Sequence, residues 1–262
     1  IKLTWRKEMK ILITNDDGIQ ALGLITLYKH LVEFGTVNVV APERERSAIG
    51  HGITMHKPLR VYEYPIGDTN KTGYAVSGTP ADCVKLALEA LLPEPPDIII
   101  SGINWGANLG TDVLYSGTVS AAIEGTINGI KSIAVSLDDR RKVPDFSVAA
   151  KFVVEFLKIY SKHDMPTDTL LNINIPDLPW NEIKGVKITK LGRRRYIDTV
   201  ERRKDPRGRE YFWLAGLVND HDMDPDTDTY AVKENYISIC PVHFDLTNYE
   251  AIKKIKAWNI IK

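Results

Sequence analysis

Apolar positions along this chain fall into short runs separated by helical stripes, and the two kinds of segment alternate. Residues 11–14 form a β-branched apolar run of the kind that makes a buried strand. Leu24, Leu27, Tyr28 and Leu31 then recur at helical spacing, and Gly35 supplies a stop. Residues 37–41 read as a second strand, ended by Pro42, and the stretch 53–76 as two or three more, including 59–64 and 74–76. Thr79 as N-cap, Pro80 at the first helical position and Asp82 at the third open a helix, with Val84, Leu88 and Leu91 as its stripe. Residues 97–101 are a strand of the fully buried, parallel type. A helix to about Asn128, a strand at 133–137, a helix at 147–161 and a strand at 170–175 continue the alternation. The pattern predicts a doubly wound α/β fold, a Rossmann-like and mostly parallel sheet.

Past Pro176 the texture changes. Residues 186–190 and 211–214 read as strands of an exposed arm, 236–240 as another strand and 248–260 as a helix. The expected organisation is a single domain over 9–262, with an α/β core at 9–180 and a β-rich oligomerisation arm with a C-terminal helix at 181–262. Residues 1–8, ahead of Met9, are expected to be a leader outside the fold. No internal repeat is visible.

Charge removes some functions. Thirty-four lysines and arginines balance 34 aspartates and glutamates, so nothing draws the chain generally to nucleic acid or to an anionic membrane. No apolar run is long enough to span a bilayer, and the first residues lack a signal-peptide core. Cys83 and Cys240, far apart and outside any Cys-x-x-Cys, read as buried thiols of a cytoplasmic protein.

The chemistry sits in loops. The first strand stops at Asn15-Asp16-Asp17-Gly18, two adjacent carboxylates at a turn that Gly18 permits. Neighbours on a strand point to opposite faces, so the two can share a ligand only once the strand has ended. Ligands of an open parallel sheet lie outside the carboxyl ends of its strands. There 15–18, 43–52, 102–110 and 115–118 should converge, with Asp16, Asp17, the Ser47 hydroxyl and the Asn104 amide oxygen among them. This all-oxygen set suits Mg²⁺ or Mn²⁺ with retained waters. Zinc-type ligand spacing is missing, and His51 reads as a satisfied loop histidine. Ser116, Gly117 and Thr118 enter a helix and offer backbone N–H groups to an anion. Neither a Gly-x-Ser-x-Gly elbow, a P-loop nor a first-strand Gly-x-Gly-x-x-Gly is present. Asp220 to Pro225 imitates a calcium loop but has Pro225 where that loop needs glycine and Ala231 where it needs glutamate. Metal-assisted hydrolysis of a phosphate ester fits best.

Asn15-Asp16-Asp17-Gly18, Ala41-Pro42 with Arg46-Ser47, Gly78-Thr79-Pro80-Ala81-Asp82, Ser101-Gly102-Ile103-Asn104 with Asn108, and Tyr115-Ser116-Gly117-Thr118 together resemble the SurE survival-protein family. The segments 171–176 and 205–208, with Thr227-Asp228 and Asp245-Leu246-Thr247, extend the resemblance from Met9 to about residue 250. It implies a metal-dependent phosphatase of nucleoside 5′- and 3′-monophosphates, with polyphosphate shortened as a side activity. It puts the metal, one Mg²⁺ or Mn²⁺ per subunit, on Asp16, Asp17, Ser47 and Asn104; the mechanism expected with it makes Asp16 and Asp17 catalytic and sets Asn104, Ser116, Gly117 and Thr118 on the phosphate. It also implies a homodimer or homotetramer through an exchanged C-terminal arm, with no stable nucleic-acid or membrane partner. Two other readings stay open: a polyphosphatase, which the basic clusters around Arg193–Arg195 and Arg202–Lys204 would serve, and a nucleotide-sensing binding protein without turnover.

Overall fold

The computed structural model describes residues 9–197, 199–214, 216–218, 224–258 and 260. The expected leader at 1–8 and most of the calcium-loop imitation, 220–223, lie outside the described residues.

Strand β1 (Met9–Thr14) lies in the interior of a nine-stranded sheet, and Ile11, Leu12 and Ile13 have no solvent exposure. Both faces of β1 are covered, which is why its sequence is a continuous apolar run with no polar alternation. Helix α1 (Leu22–Leu31) crosses over to β2 (Gly35–Pro42), parallel to β1, and buries the predicted Leu24, Leu27, Tyr28 and Leu31. Beyond β2 lie β3 (Val61–Pro65) and β4 (Thr72–Val76), an antiparallel pair of which β4 runs parallel to β2. The expected strand at 59–64 thus begins two residues later. Helix α2 (Pro80–Leu86) carries the full capping box, Thr79 and Asp82 each bonding the other's backbone N–H. It runs into a π-helical turn, Ala87–Leu91, and brings the chain back past β1 to β5 (Ile98–Trp105).

Helix α3 (Gly117–Ile127), β6 (Lys131–Asp138), α4 (Phe146–Tyr160) and β7 (Thr169–Pro176) complete the parallel part. Helices α1 and α4 pack together on one face of the sheet, and α2 and α3 on the other. With β13 (Ile237–His243) and β8 (Val186–Ile188) at the far edge, the strand order is β3-β4-β2-β1-β5-β6-β7-β13-β8. From β1 the chain first moves toward β2 and later toward β5, so the topological switch point falls between β1 and β5. The ligand crevice of a doubly wound sheet opens there.

Residue 180 does not end the sheet. Strand β8 (Val186–Ile188) and β13 (Ile237–His243) extend it, β13 pairing antiparallel with β7 over six residues. The strand expected at 236–240, grouped with the arm on its sequence, is therefore a strand of the core. Local pattern shows that a strand exists but not which edge receives it. Helix α5 (Asp228–Lys233) packs against β13 and β7. What stands apart is β9 (Tyr196–Ile197) paired with β12 (Leu217–Val218), and the hairpin β10 (Val200–Lys204) with β11 (Glu210–Leu214). All ten residues of β10 and β11 are exposed. Helix α6 (Tyr249–Lys256) buries no residue.

Candidate active site

Asp16 and Asp17 emerge at the carboxyl end of β1, on the switch point. Asn15 closes the turn: its amide donates to the Gly18 carbonyl at 2.8 Å and its Oδ1 accepts from the Gly18 N–H at 3.2 Å. Gly18 has φ +100°, which an L side chain rarely adopts. The turn sends the two carboxyl groups to different partners. Asp16, only 4% exposed, accepts the Thr118 hydroxyl on Oδ1, while its carbonyl accepts the Arg46 N–H at 2.7 Å. Asp17 accepts the Trp105 N–H on Oδ2 at 3.2 Å. The loop after β2 and the end of β5 thus meet the loop after β1 at two consecutive residues, Asp16 and Asp17.

Helix α3 starts hard against this pair. A Cβ on Gly117 would stand 2.7 Å from Asp16 Cβ and 2.8 Å from its Oδ2, so only glycine allows the helix start to approach so closely. The positive end of α3 then lies on Asp16. One expectation changes here. The Ser116 N–H is already given to the Asp112 carbonyl, and the Ser116 hydroxyl caps the helix by accepting from Val119 N. Thr118 spends its hydroxyl on Asp16, and its N–H also acts on that carboxylate. Of the three helix-start residues among the four assigned to phosphate, Gly117 is the one whose N–H is not so engaged. Periodicity located the helix start; the bonds that occupy its donors are tertiary.

The other two expected ligands lie on the converging loops. The Asn104 side-chain N–H donates to the Gly106 carbonyl at 2.7 Å, a bond that does not use its amide oxygen. Ser47, exposed and next to Arg46, donates its hydroxyl to Glu45 at 2.8 Å. Glu45 went unnoticed in the sequence. Its charge acts on both aspartates, and its only sequence signal is its place two residues before Ser47.

Electrostatics make the pair unusual. Burial pushes the Asp16 carboxyl above its ordinary range, against the hydrogen bonds from Thr118. Burial, then the Asp16 charge, pushes Asp17 up to about 6. The charged groups acting on the two are carboxylates, Asp16 on Asp17 and Glu45 on both. Two buried like charges are costly to ionise unless a cation joins them. Among the described residues no group of three or more His, Cys, Asp or Glu side chains forms a metal cage. The donor set that remains, two carboxylates with neutral oxygens nearby, fits a hard cation that keeps several waters.

Residues beyond the ligands fix the loop after β5. Asn172 and Asn174 both donate to the Asn108 carbonyl, at 2.8 and 3.0 Å, and Asn174 accepts from the Asn108 N–H at 2.8 Å. Buried Asp228 accepts from the Gly110 and Gly192 N–H groups, each at 2.8 Å. The signal for Asn172 and Asn174 was present: two amides alternate with apolar residues in a strand buried on both faces.

His51 behaves as expected for a satisfied histidine. Its Nε2 lies 2.9 Å from Glu124 Oε2, tying the loop that carries Ser47 to α3. This hydrogen bond, more than Lys85 or Asn128, holds the Glu124 carboxyl below its usual range. A depressed carboxyl stabilises the fold above its unfolded pKa of about 4.3 and loses that contribution as pH falls through its folded value. His51→Ala should therefore lower the thermal midpoint at pH 7 by about 2–6 °C, because nearly buried Glu124 loses a partner. The gap between variant and wild type should close as pH falls below the depressed folded value of Glu124. A gap that persists there would assign the loss to packing. Cys83 and Cys240 are free and buried, and burial pushes both thiols up, Cys240 to about 12.

Residues 11–198 match the family model for the survival protein SurE. The chain is 59% identical over 250 residues to the 5′-nucleotidase SurE of Moorella thermoacetica, covering 95% of this chain and 96% of that one. It is 58% identical over 251 residues to the 5′-nucleotidase SurE of Pelotomaculum thermopropionicum, covering 95% and 94%. The crystal structure of the SurE protein from Aquifex aeolicus superposes with a TM-score of 0.83 at 42% identity, covering 95% of this chain and 99% of that one.

Proposed function

The chain belongs to the SurE family and is a 5′-nucleotidase, and we propose that it releases phosphate from nucleoside 5′-monophosphates with one Mg²⁺ or Mn²⁺ per subunit, held by Asp16, Asp17, Ser47 and Asn104. The observation that carries this reading is the adjacent pair of carboxylates, Asp16 buried and Asp17 half-buried, with Asp16 set against the start of α3. The cation, when bound, offsets phosphate charge and lowers the pKa of a water. Asp16, fixed by Thr118 and Arg46, is the rigid member of the pair. Asp17 has one oxygen on the Trp105 N–H, which leaves Oδ1 to accept a proton from the attacking water. The Gly117 N–H, at the positive end of α3, holds a phosphoryl oxygen, and Asn104 contributes beside it. Positioning matters because the uncatalysed hydrolysis of phosphate monoesters is among the slowest reactions known.

Nucleoside 3′-monophosphates and polyphosphate present the same phosphate oxygens and belong to the proposal as secondary substrates. The arm gives polyphosphate little support. Arg194 pairs with Asp112, Arg202 with Glu210, Arg203 with Glu201 and Arg209 with Asp205, so much of its positive charge is compensated within the chain. The other partner is a second copy of the chain, in a dimer or tetramer, and the compartment we assign is the cytoplasm. Among the described residues no helix is long and apolar enough to cross a membrane.

Phosphate release from adenosine 5′-monophosphate, its 3′ isomer and polyphosphate, with Mn²⁺ and after EDTA, tests the reading. Turnover of the 5′-monophosphate should exceed that of polyphosphate and stop in EDTA. Turnover that survives EDTA would overturn the metal assignment. Tight binding of the nucleotide without turnover would favour a sensor.

A further inference from the structure

The all-oxygen crevice has an apolar rim. Trp105, whose backbone N–H holds Asp17, leaves its side chain half exposed, at 51%. Tyr115, one residue before the α3 cap, is 66% exposed, and Leu114 and Ile49 are exposed beside it. Tyr115 and the Ile49 loop are joined by the Gly50 N–H, which donates to the Tyr115 carbonyl at 3.0 Å. Single exposed apolar residues mean little, but these ring one polar site on the loops that hold its carboxylates. A large aromatic exposed beside catalytic carboxylates suits an occupant with a flat apolar face.

We propose that Trp105 is the platform on which the nucleobase of the substrate stacks. The inference rests on the nucleotidase reading and adds to it the group that selects nucleotides over other phosphate esters. Three observations support Trp105. Its backbone N–H donates to Asp17, which sets the residue at the rim of the carboxylate site. It directly follows Asn104, so phosphate contact and base contact are consecutive in the chain. It ends β5, whose pairing with β6 fixes its backbone. Every base has a π-face, so stacking accepts all four bases and gives preference for a nucleotide without preference for a sequence letter.

The test compares adenosine 5′-monophosphate with ribose 5-phosphate, the same ester without its base. Trp105→Ala should lower the ratio of kcat/KM for the nucleotide over ribose 5-phosphate by about ten- to a hundredfold, the usual yield of one stacking contact. Trp105→Phe should keep most of the ratio. A merely structural role would reduce both substrates alike and leave the ratio unchanged, and that result would overturn the proposal. A fall confined to Tyr115→Ala would overturn it too, as would loss of assembly by light scattering in Trp105→Ala with the ratio intact. If the wild type turned over neither ester, the nucleotidase reading would fail by itself. Calorimetric affinities of the two ligands for wild type and Trp105→Ala would then decide the stacking separately.

Discussion

Asp16→Asn should reduce hydrolysis of adenosine 5′-monophosphate by about a thousandfold or more at saturating Mn²⁺ while leaving the fold intact. Stabilisation of phosphate charge by a bound cation is worth several kcal/mol, and each ~1.4 kcal/mol is tenfold in rate. The fold survives because an amide oxygen still accepts the Thr118 hydroxyl that Asp16 accepts. Stability should move opposite to activity. Burial raises both carboxyls, so the folded chain keeps protons that the unfolded chain, at about pKa 3.9, has lost. Through Asp17 the metal-free fold thus loses stability as pH climbs from about 4 to about 6, and Asp16 adds a loss of the same sign. Replacing Asp16 removes one buried charge and relieves Asp17 of its neighbour. The metal-free thermal midpoint at pH 8 should rise, or at least not fall. Adding Mn²⁺ to wild type should raise the midpoint more at pH 8 than at pH 5, since the ligands must be deprotonated to bind. Near wild-type turnover in the variant, or a metal-dependent gain larger at pH 5, would sink the assignment.

The second large effect concerns assembly. Hairpin β10–β11 stands outside the main sheet, with Phe212 and Trp213 each 58% exposed and Leu214 88%. An isolated two-stranded hairpin is marginal in water. Helix α6 likewise exposes Tyr249, Ile252 and Ile255. Both features call for a partner surface, and a two-fold interface between copies of the chain would bury each of them twice. The intact protein should therefore be a dimer or larger at micromolar concentration by light scattering. Truncation near residue 225 is a poor test, because it removes β13 from the core sheet. Excising the hairpin is cleaner. Val200 and Leu214 face each other in the register, so the chain can be rejoined with a short Gly-Ser link. The excised protein should lose assembly and keep its circular dichroism. A monomeric intact chain, or an excised one that still assembles to the same size, would overturn the role given to the arm.

The parallel core was legible because a strand buried on both faces must be apolar throughout and a helix lying on it must carry a stripe. Residues 11–14, 97–101 and 170–175 could hardly be anything else, and β1, β5 and β7 stand there. The place of the Asp16-Asp17 pair, at the end of a strand buried on both faces, was legible as well. The edge of the sheet was not. Strand β13 pairs with β7 across some sixty residues of chain, and nothing in its own sequence names that partner. Within the site, the sequence supplied Ser116, Gly117 and Thr118 as a helix start, but only packing decided that the Asp112 carbonyl takes the Ser116 N–H and Asp16 takes Thr118. The same holds for the partners of Glu45, of Asn172 and Asn174 on β7, which bond Asn108, and of Asp228, which bonds Gly110. Periodicity and residue type determine which segments are buried and which groups can do chemistry, because those are local costs of solvation and backbone geometry. The direction of each donor, and the close approach of Gly117 to Asp16, depend on groups distant in sequence, and only the tertiary structure decides them.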